Sequence, residues 1–479
     1  MTLGKMPTTK VYRATMTLLL VVLSKHARPA QAFVSAGRRR FPSLQASFSS
    51  TPESPDPSTF PSWSFEPRSF FRYELIHQSS KSQARVGRIH TPHGIIDTPG
   101  YVAVATNGAL KGVDFADADA TGQQLVFCNS YHLLLQPGPE VIAEAGGLHN
   151  FIGRRDRPLI TDSGGFQVFS LAYGGVHEER SGGSAEITKE LKRSGGTRKA
   201  NGNNRRGQNT KHGDGAPPVK CTEEGVRFKS YRDGRKIMLT PESTVQAQKA
   251  YGADIIIPLD ELPPHFTDRS ILEESVDRTH RWEARSLIEH LKDVKDQAMY
   301  CVVHGGLDVE LRTKSVEYLT SLPFDGYSIG GSLGKNAADL AELLEWMMPM
   351  FDEDGRKDKP RHLLGIADVG SIDNAITKGI DTFDSCYPTR LARHGTLLTT
   401  EEGSGGRINI KSGKHSKSYG IPIDSNCSCP VCRRYDRPYL WHLYKAKEPL
   451  FTNLATLHNI AYMNTLMAKY RQDILDDKI

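Results

Sequence analysis

From residue 101 onward the chain repeats one unit, a short apolar run ending on polar or glycine residues and then a stretch of helical pattern. The runs are YVAVAT (101–106), LVFCNSYH (125–132), RPLITDSGG (157–165), ADIIIPLDE (253–261), MYCVVHGG (299–306), GYSIGG (326–331), RHLLGI (361–366) and DTFDSCYP (381–388). Between them lie amphipathic stretches such as ILEESVDRTHRWEARSLIEHLKD (271–293), NAADLAELLEWMMPMF (336–351) and SIDNAITKGI (371–380). Strand-like runs alternating with helices predict an α/β fold, and eight of them predict a (β/α)8 TIM-type barrel. The alternative is an open doubly wound sheet, but the chain carries no glycine fingerprint for a dinucleotide.

In a barrel the carboxyl ends of the strands form the active face. The predicted ends carry Asn129, Asp162, Asp260 with Glu261, His304, Gly330 with Gly331, Gly365, and Asp384. One aspartate after a strand is as often a helix N-cap or an ion-pair partner as a catalytic group. Three on one face point to chemistry.

Of the seven cysteines, Cys427, Cys429 and Cys432 fall within six residues, and histidines follow at His442 and His458. A C-x-C-x-x-C turn converges three sulfurs on one ion, and a histidine can supply a fourth tetrahedral ligand. Such a site has no open position, so one structural zinc ion per chain is expected and the reaction lies elsewhere. The other cysteines are dispersed, which fits a reducing compartment.

The 479 residues carry a formal net charge of +6, compatible with a nucleic-acid partner without demanding one. Residues 180–220 hold ten Lys and Arg against three Asp and Glu, many Gly and Asn, and almost no large apolar residue. That composition buries no core and predicts a disordered basic insertion.

Residues before about Phe70 read as lying outside the fold. Basic residues precede MTLLLVVLS (16–24), too short to span a bilayer, and Ala30-Gln31-Ala32 gives a cleavage pattern, so residues 1–32 read as a signal peptide. Residues 33–68 are read as transit-like, being Arg- and Ser-rich with no acidic residue before Glu53. The pair resembles the bipartite presequences that route proteins into secondary plastids, with mitochondrion or cytoplasm as alternatives. The expected divisions are then a catalytic barrel over 69–404 and a zinc-binding subdomain with C-terminal helices over 405–479. No membrane association is expected.

TDSGGFQVFSL (161–171), EEGVRFKSYRDGRKIMLTPE (223–242), FDGYSIGG (324–331), GIDTFDSCYPTR (379–390) and the cluster from Cys427 to His458 together resemble the tRNA-guanine transglycosylase family. The resemblance covers about residues 70–469. It implies a zinc-containing barrel that exchanges the guanine at the first anticodon position of tRNA for queuine or another 7-deazaguanine, and it favours His458 over His442 as fourth ligand. It implies Asp384 as the nucleophile on ribose C1′ and Asp162 as general acid/base. It assigns the base to Ser163, Gly164, Gly165, Phe166, Asp260, His304, Gly330 and Gly331, and the tRNA backbone to Gly365, Thr389, Arg390 and Arg393. Partners implied are tRNA, a small 7-deazaguanine base, and a second subunit in a homodimer or in a heterodimer with a paralogue.

The chain departs from the bacterial pattern of that family in four places. His304 stands where a glutamine is usual, Leu262 replaces a pocket cysteine, SLGKN (332–336) replaces LAVGE, and IADVGS (366–371) follows Gly365. These bear on which base is inserted. A non-catalytic partner subunit of the same family is the competing reading, and the presence of both Asp162 and Asp384 speaks against it. A third, an unrelated barrel enzyme with a structural zinc, lacks a phosphate or metal site at the strand ends.

Overall fold

The structure is a computed structural model that describes residues 53–173, 219–230, 232–265, 267–353 and 355–479. The signal-like segment, most of the transit-like segment and residues 180–218 of the basic insertion lie outside the described residues.

All eight apolar runs form strands, and the strands are parallel. In chain order they are Gly100–Val104, Val126–Cys128, Leu159–Thr161, Ile255–Ile256, Ala298–Val303, Gly326–Ile329, Arg361–Leu363 and Thr382–Ser385. The last pairs with the first, Thr382 opposite Gly100 and Asp384 opposite Val102, which closes the barrel and excludes the open sheet.

The two-residue side-chain period of a strand divides the core in two. In Ala298–Val303, Ala298, Tyr300 and Val302 point inward to join Val102, Phe127, Ile160 and Ile255 in the barrel interior. Met299, Cys301 and Val303 point outward and pack with the helix layer. Complete burial of each Val, Ile, Phe or Met among them contributes roughly 1.5–3 kcal/mol. The three expected amphipathic stretches form helices Arg269–Leu291, Ala337–Met347 and Val369–Thr377. Asn336 and Asp368 cap the latter two through side-chain oxygens on backbone N–H groups.

Three additions surround the barrel. An antiparallel sheet of Arg72–Gln78, Arg85–Thr91 and Gly94–Thr98 sends Ile89 and Ile96 into the barrel-interior cluster. A second antiparallel sheet, Val219–Thr222, Gly225–Lys229 and Lys236–Leu239, begins inside the last two residues of the expected insertion. Its Val226 and Phe228 pack with Trp282 and Leu262. The third is C-terminal: strands Thr396–Leu398 and Arg407–Asn409, short helices Pro430–Arg434 and Arg437–Ala446, and the long helix Pro449–Leu475. Its apolar side chains belong to the same continuous core as the barrel's outer layer.

Residues 55–68, read from the sequence as preceding the fold, pack against it. Phe60 is buried, Arg68 pairs with the largely buried Asp325 side chain at 3.0 Å, and Tyr318 donates its hydroxyl to the Pro55 carbonyl. Among the described residues no helix is long and apolar enough to cross a membrane.

Candidate active site and metal centre

Asp162 follows the strand Leu159–Thr161 directly, and three donors converge on its carboxylate. The Ser130 N–H donates to Oδ1 at 2.7 Å and Asn129 Nδ2 to Oδ2 at 3.1 Å. The Gln167 amide fits when its nitrogen donates to Oδ2 at 3.2 Å and its oxygen accepts from Asn129 at 3.0 Å. Dense protein around the carboxyl pushes its pKa up to about 6, the donors oppose that rise, and the nearby Asp384 charge adds to it. A carboxyl poised there can hold a proton and release it near neutral pH.

Asp384 lies inside the last strand, with its side chain toward the barrel axis. Gly365 N–H donates to its Oδ1 at 2.8 Å, and His362 Nε2 lies 3.2 Å from the same oxygen. The other ring nitrogen of His362 meets the Thr382 hydroxyl at 2.9 Å, which fixes the imidazole beside Asp384. Gly365 adopts φ +75° to present its N–H, a conformation that favours glycine. It therefore supports the nucleophile candidate, a role different from the backbone contact expected of it.

Several of the expected base-binding residues adjoin: Gly165 lies beside Asp260, and His304 beside both Asp260 and Gly331. Asp260 ends the fourth run, and His304 Nε2 lies 3.0 Å from its Oδ2. Glu261 beside it is engaged with Arg278, which removes it from the chemistry. Gly331 has φ +72°, and a Cβ there would come within 2.9 Å of His304 Nδ1. Gly164, at φ +83°, runs so close to the helix Ser130–Leu135 that a Cβ would sit 2.7 Å from the Tyr131 nitrogen. A Cβ at Gly165 would meet the Leu259 side chain, and one at Gly330 the Val302 side chain. Ser163 Oγ accepts from Gly165 N–H and stiffens the turn. Phe166, half-buried, packs against the cluster that contains Leu262 and Trp282.

The expected tRNA-binding residues separate. Arg390 and Arg393 are half-buried on the helix Tyr387–Arg393, their guanidinium groups on Cys386 Sγ and the Thr389 carbonyl. Thr389 is buried, its hydroxyl spent on the Cys386 carbonyl, so it presents nothing to a phosphate here.

Three sulfurs meet one imidazole in the C-terminal segment. Cys427, Cys429 and Cys432 place Sγ 3.9, 3.5 and 3.3 Å from His458 Nδ1, and all four atoms lie within 4.8 Å of one another. His442 is exposed and takes no part. His458 Nε2 faces the Leu398 carbonyl at 2.7 Å, so that nitrogen donates and Nδ1 keeps its lone pair for a metal. Sulfur and nitrogen donors in this tight group fit a closed tetrahedral ion.

Sequence reasoning missed the supporting residues. Asn129 was noted only as a strand end, and Gln167 and His362 were passed over. A histidine inside an apolar run, as in RHLLGI, was the available signal for His362. A second tight cluster was also missed: buried Asp254 accepts from His93 Nδ1 at 2.8 Å and His149 Nε2 at 3.1 Å, tying the Arg85–Thr91/Gly94–Thr98 hairpin to the barrel.

Comparison with known proteins finds a matching family. Residues 79–191 and 210–479 match the family model described as queuine tRNA-ribosyltransferase. A protein of that name from Protochlamydia amoebophila is 51% identical over 410 residues, covering 86% of this chain and 97% of that protein. Counterparts from Chlamydia pneumoniae and Chlamydia muridarum are 48% and 47% identical, each over 85% of this chain and 99% of theirs.

Proposed function

We propose that this chain, which belongs to the queuine tRNA-ribosyltransferase family, replaces a guanine of tRNA by a 7-deazaguanine base through a covalent ribosyl-enzyme ester. The carrying observation is a pair of carboxylates at one barrel mouth, held differently. Asp162 has burial and three donors that set it near pH 6, and Asp384 sits within the last strand on the Gly365 N–H. This favours a catalytic subunit over a binding-only partner.

In the first half-reaction an Asp384 carboxylate oxygen attacks ribose C1′ as the bond to guanine N9 breaks. The electron pair of that bond leaves with the base, and Asp162 protonates it. In the second, the Asp162 carboxylate takes the N9 proton of the incoming base, N9 attacks C1′, and the ester to Asp384 breaks. Two inversions give net retention, as in retaining glycosidases. Asp260 accepts the ring N–H and amino hydrogens of the base, and the face of Phe166 stacks on it. The target nucleotide must leave its stack to enter so narrow a mouth. Arg390 and Arg393 supply positive charge for the loop phosphates. The first anticodon position is the site we assign.

One structural zinc ion per chain, held by Cys427, Cys429, Cys432 and His458, would supply a cross-link between the segment that leads into the short helix Pro430–Arg434 and the long helix Pro449–Leu475. The N-terminal presequence directs the protein to a plastid in this reading, and a fusion of residues 1–68 to a fluorescent reporter checks it. Reporter in the secretory medium or the cytosol would contradict that assignment. The reaction itself is tested by exchange of labelled guanine into tRNA, with queuine and its aminomethyl precursor as competitors. Absence of exchange with any base refutes the reading.

A further inference from the structure

The two oxygens of Asp384 are held unequally. Oδ1 accepts from the Gly365 N–H at 2.8 Å and has His362 Nε2 at 3.2 Å. Among the described residues no hydrogen bond or ion pair reaches Oδ2.

Strand register brings the imidazole there. His362 stands opposite Thr382 on the neighbouring parallel strand, so the two side chains share a face. Asp384 lies two residues beyond Thr382 in the same strand and therefore shares that face too. His362 Nδ1 and the Thr382 hydroxyl are 2.9 Å apart. With a carboxylate beside Nε2, the ring proton belongs on Nε2, and the Thr382 hydroxyl donates to Nδ1. His362 is fully buried, whereas Asp384 keeps 7% of its surface exposed, so substrate reaches the aspartate and not the histidine. Nε2 stands outside hydrogen-bond alignment with Oδ1, as contacts to a reacting group often do before substrate tightens them.

This asymmetry gives the two oxygens different tasks. Oδ2 is left to attack ribose C1′, and Oδ1 then becomes the carbonyl oxygen of the ester. In the second half-reaction N9 of the incoming base bonds to C1′ and the C1′–Oδ2 bond breaks. Its electron pair returns to the carboxylate, so negative charge develops on Oδ1 as well. Donors already aimed at an oxygen where charge develops favour that step. A charged carboxylate also accepts more strongly than a neutral ester carbonyl. The same donors therefore favour the free carboxylate over the ester and restrain accumulation of the adduct.

We propose that His362 is a positioning residue that, with the Gly365 N–H, fixes Oδ2 as the attacking oxygen and promotes collapse of the ribosyl ester. The proposal rests on the base-exchange reading above and deepens it.

The test measures the half-reactions separately: formation of the covalent tRNA adduct on denaturing gels, then its breakdown in a chase with labelled guanine. His362→Leu keeps apolar bulk and removes the donor. It should slow breakdown about tenfold without slowing formation, so that adduct accumulates at steady state. His362→Gln can place an amide N–H near the same oxygen and should restore most of the breakdown rate. Thr382→Val releases the ring and should slow breakdown by a smaller factor; it decides the question if His362→Leu fails to fold. A lost packing contact would slow both half-reactions alike. Equal loss in both, unchanged breakdown in the folded variants, or no rescue by His362→Gln overturns the role of His362 alone. Wild type that forms no adduct overturns the covalent reading, and this proposal with it.

Discussion

Asn129→Ala should move the protonation midpoint of Asp162 upward, because its amide is one of three donors that favour the ionised carboxylate. A hydrogen bond to a charged acceptor contributes about 1.5–3 kcal/mol. One pKa unit corresponds to about 1.4 kcal/mol. The Ser130 and Gln167 donors remain on the carboxylate when the Asn129 amide is lost, so the lower end applies. A shift of about one unit, from about 6 to about 7, follows. At pH 7 the protonated fraction then rises from about one in eleven to about one half. The half-reaction that breaks the bond to guanine uses the protonated form, so kcat/KM for tRNA should gain about fivefold at that pH. The half-reaction that accepts the incoming base uses the carboxylate, so kcat/KM for the base should fall about twofold. The assay is labelled-guanine exchange from pH 5 to 9, with tRNA varied in one series and base in the other. Plateau rates can fall from looser positioning, but the midpoint isolates the electrostatic effect. Profiles that stay in place, or move to lower pH, would refute the role given to Asp162 and its donors.

Asp384→Asn should abolish both exchange and the covalent tRNA adduct on denaturing gels while tRNA binding persists, since phosphate contacts supply most of the affinity; a surviving adduct would transfer the nucleophile role to Asp162 or Asp260. Elemental analysis should find one zinc per chain. His458→Ala or chelation should lower Tm and open the C-terminal segment to protease, because metal binding of roughly 10–16 kcal/mol at such sites is folding free energy; normal melting without metal would contradict the centre. Gly331→Ala forces a residue with a Cβ into φ +72°, at about 1–2 kcal/mol, and pushes on His304 Nδ1. KM for the base should rise tenfold or more with a Tm loss of only a few degrees, and an unchanged KM would remove Gly331 from the base wall.

The parts of this molecule legible in the sequence are those that local pattern governs. Each barrel strand announced itself by a run of apolar residues because parallel strands are buried on both faces. Asp162, Asp260, His304 and Asp384 were found because the ends of those runs were found. What was not legible depends on pairs far apart in the chain. Nothing near Asp384 in sequence indicates that Gly365 N–H and His362 sit on it. Nothing near Asp254 indicates His93, 161 residues away. The sheet Arg72–Gln78 to Thr98 was overlooked because its first strand is largely exposed and polar, without the apolar run that marks the barrel strands. Residues 55–68 were set aside on composition, yet one aromatic side chain and one buried ion pair suffice to seat them. Thr389 was carried over by motif position, and only packing reveals that it faces inward.

Two neighbouring side chains on the helix Pro449–Leu475 make the C-terminal segment inseparable from the barrel. His458 turns to the three sulfurs, while Asn459 donates to the carbonyls of Pro388 and Thr396 and accepts from the Leu398 N–H. Pro388 stands in the first turn of the short helix Tyr387–Arg393 that follows Asp384. A chain cut at residue 404 would strip Asn459 from those three partners and uncover the apolar face of that helix. The metal-binding portion is thus a keystone of the architecture, not a cartridge. Chimaeras between relatives should keep barrel and tail from a single parent, and libraries that shuffle them at this junction will be dominated by insoluble chains.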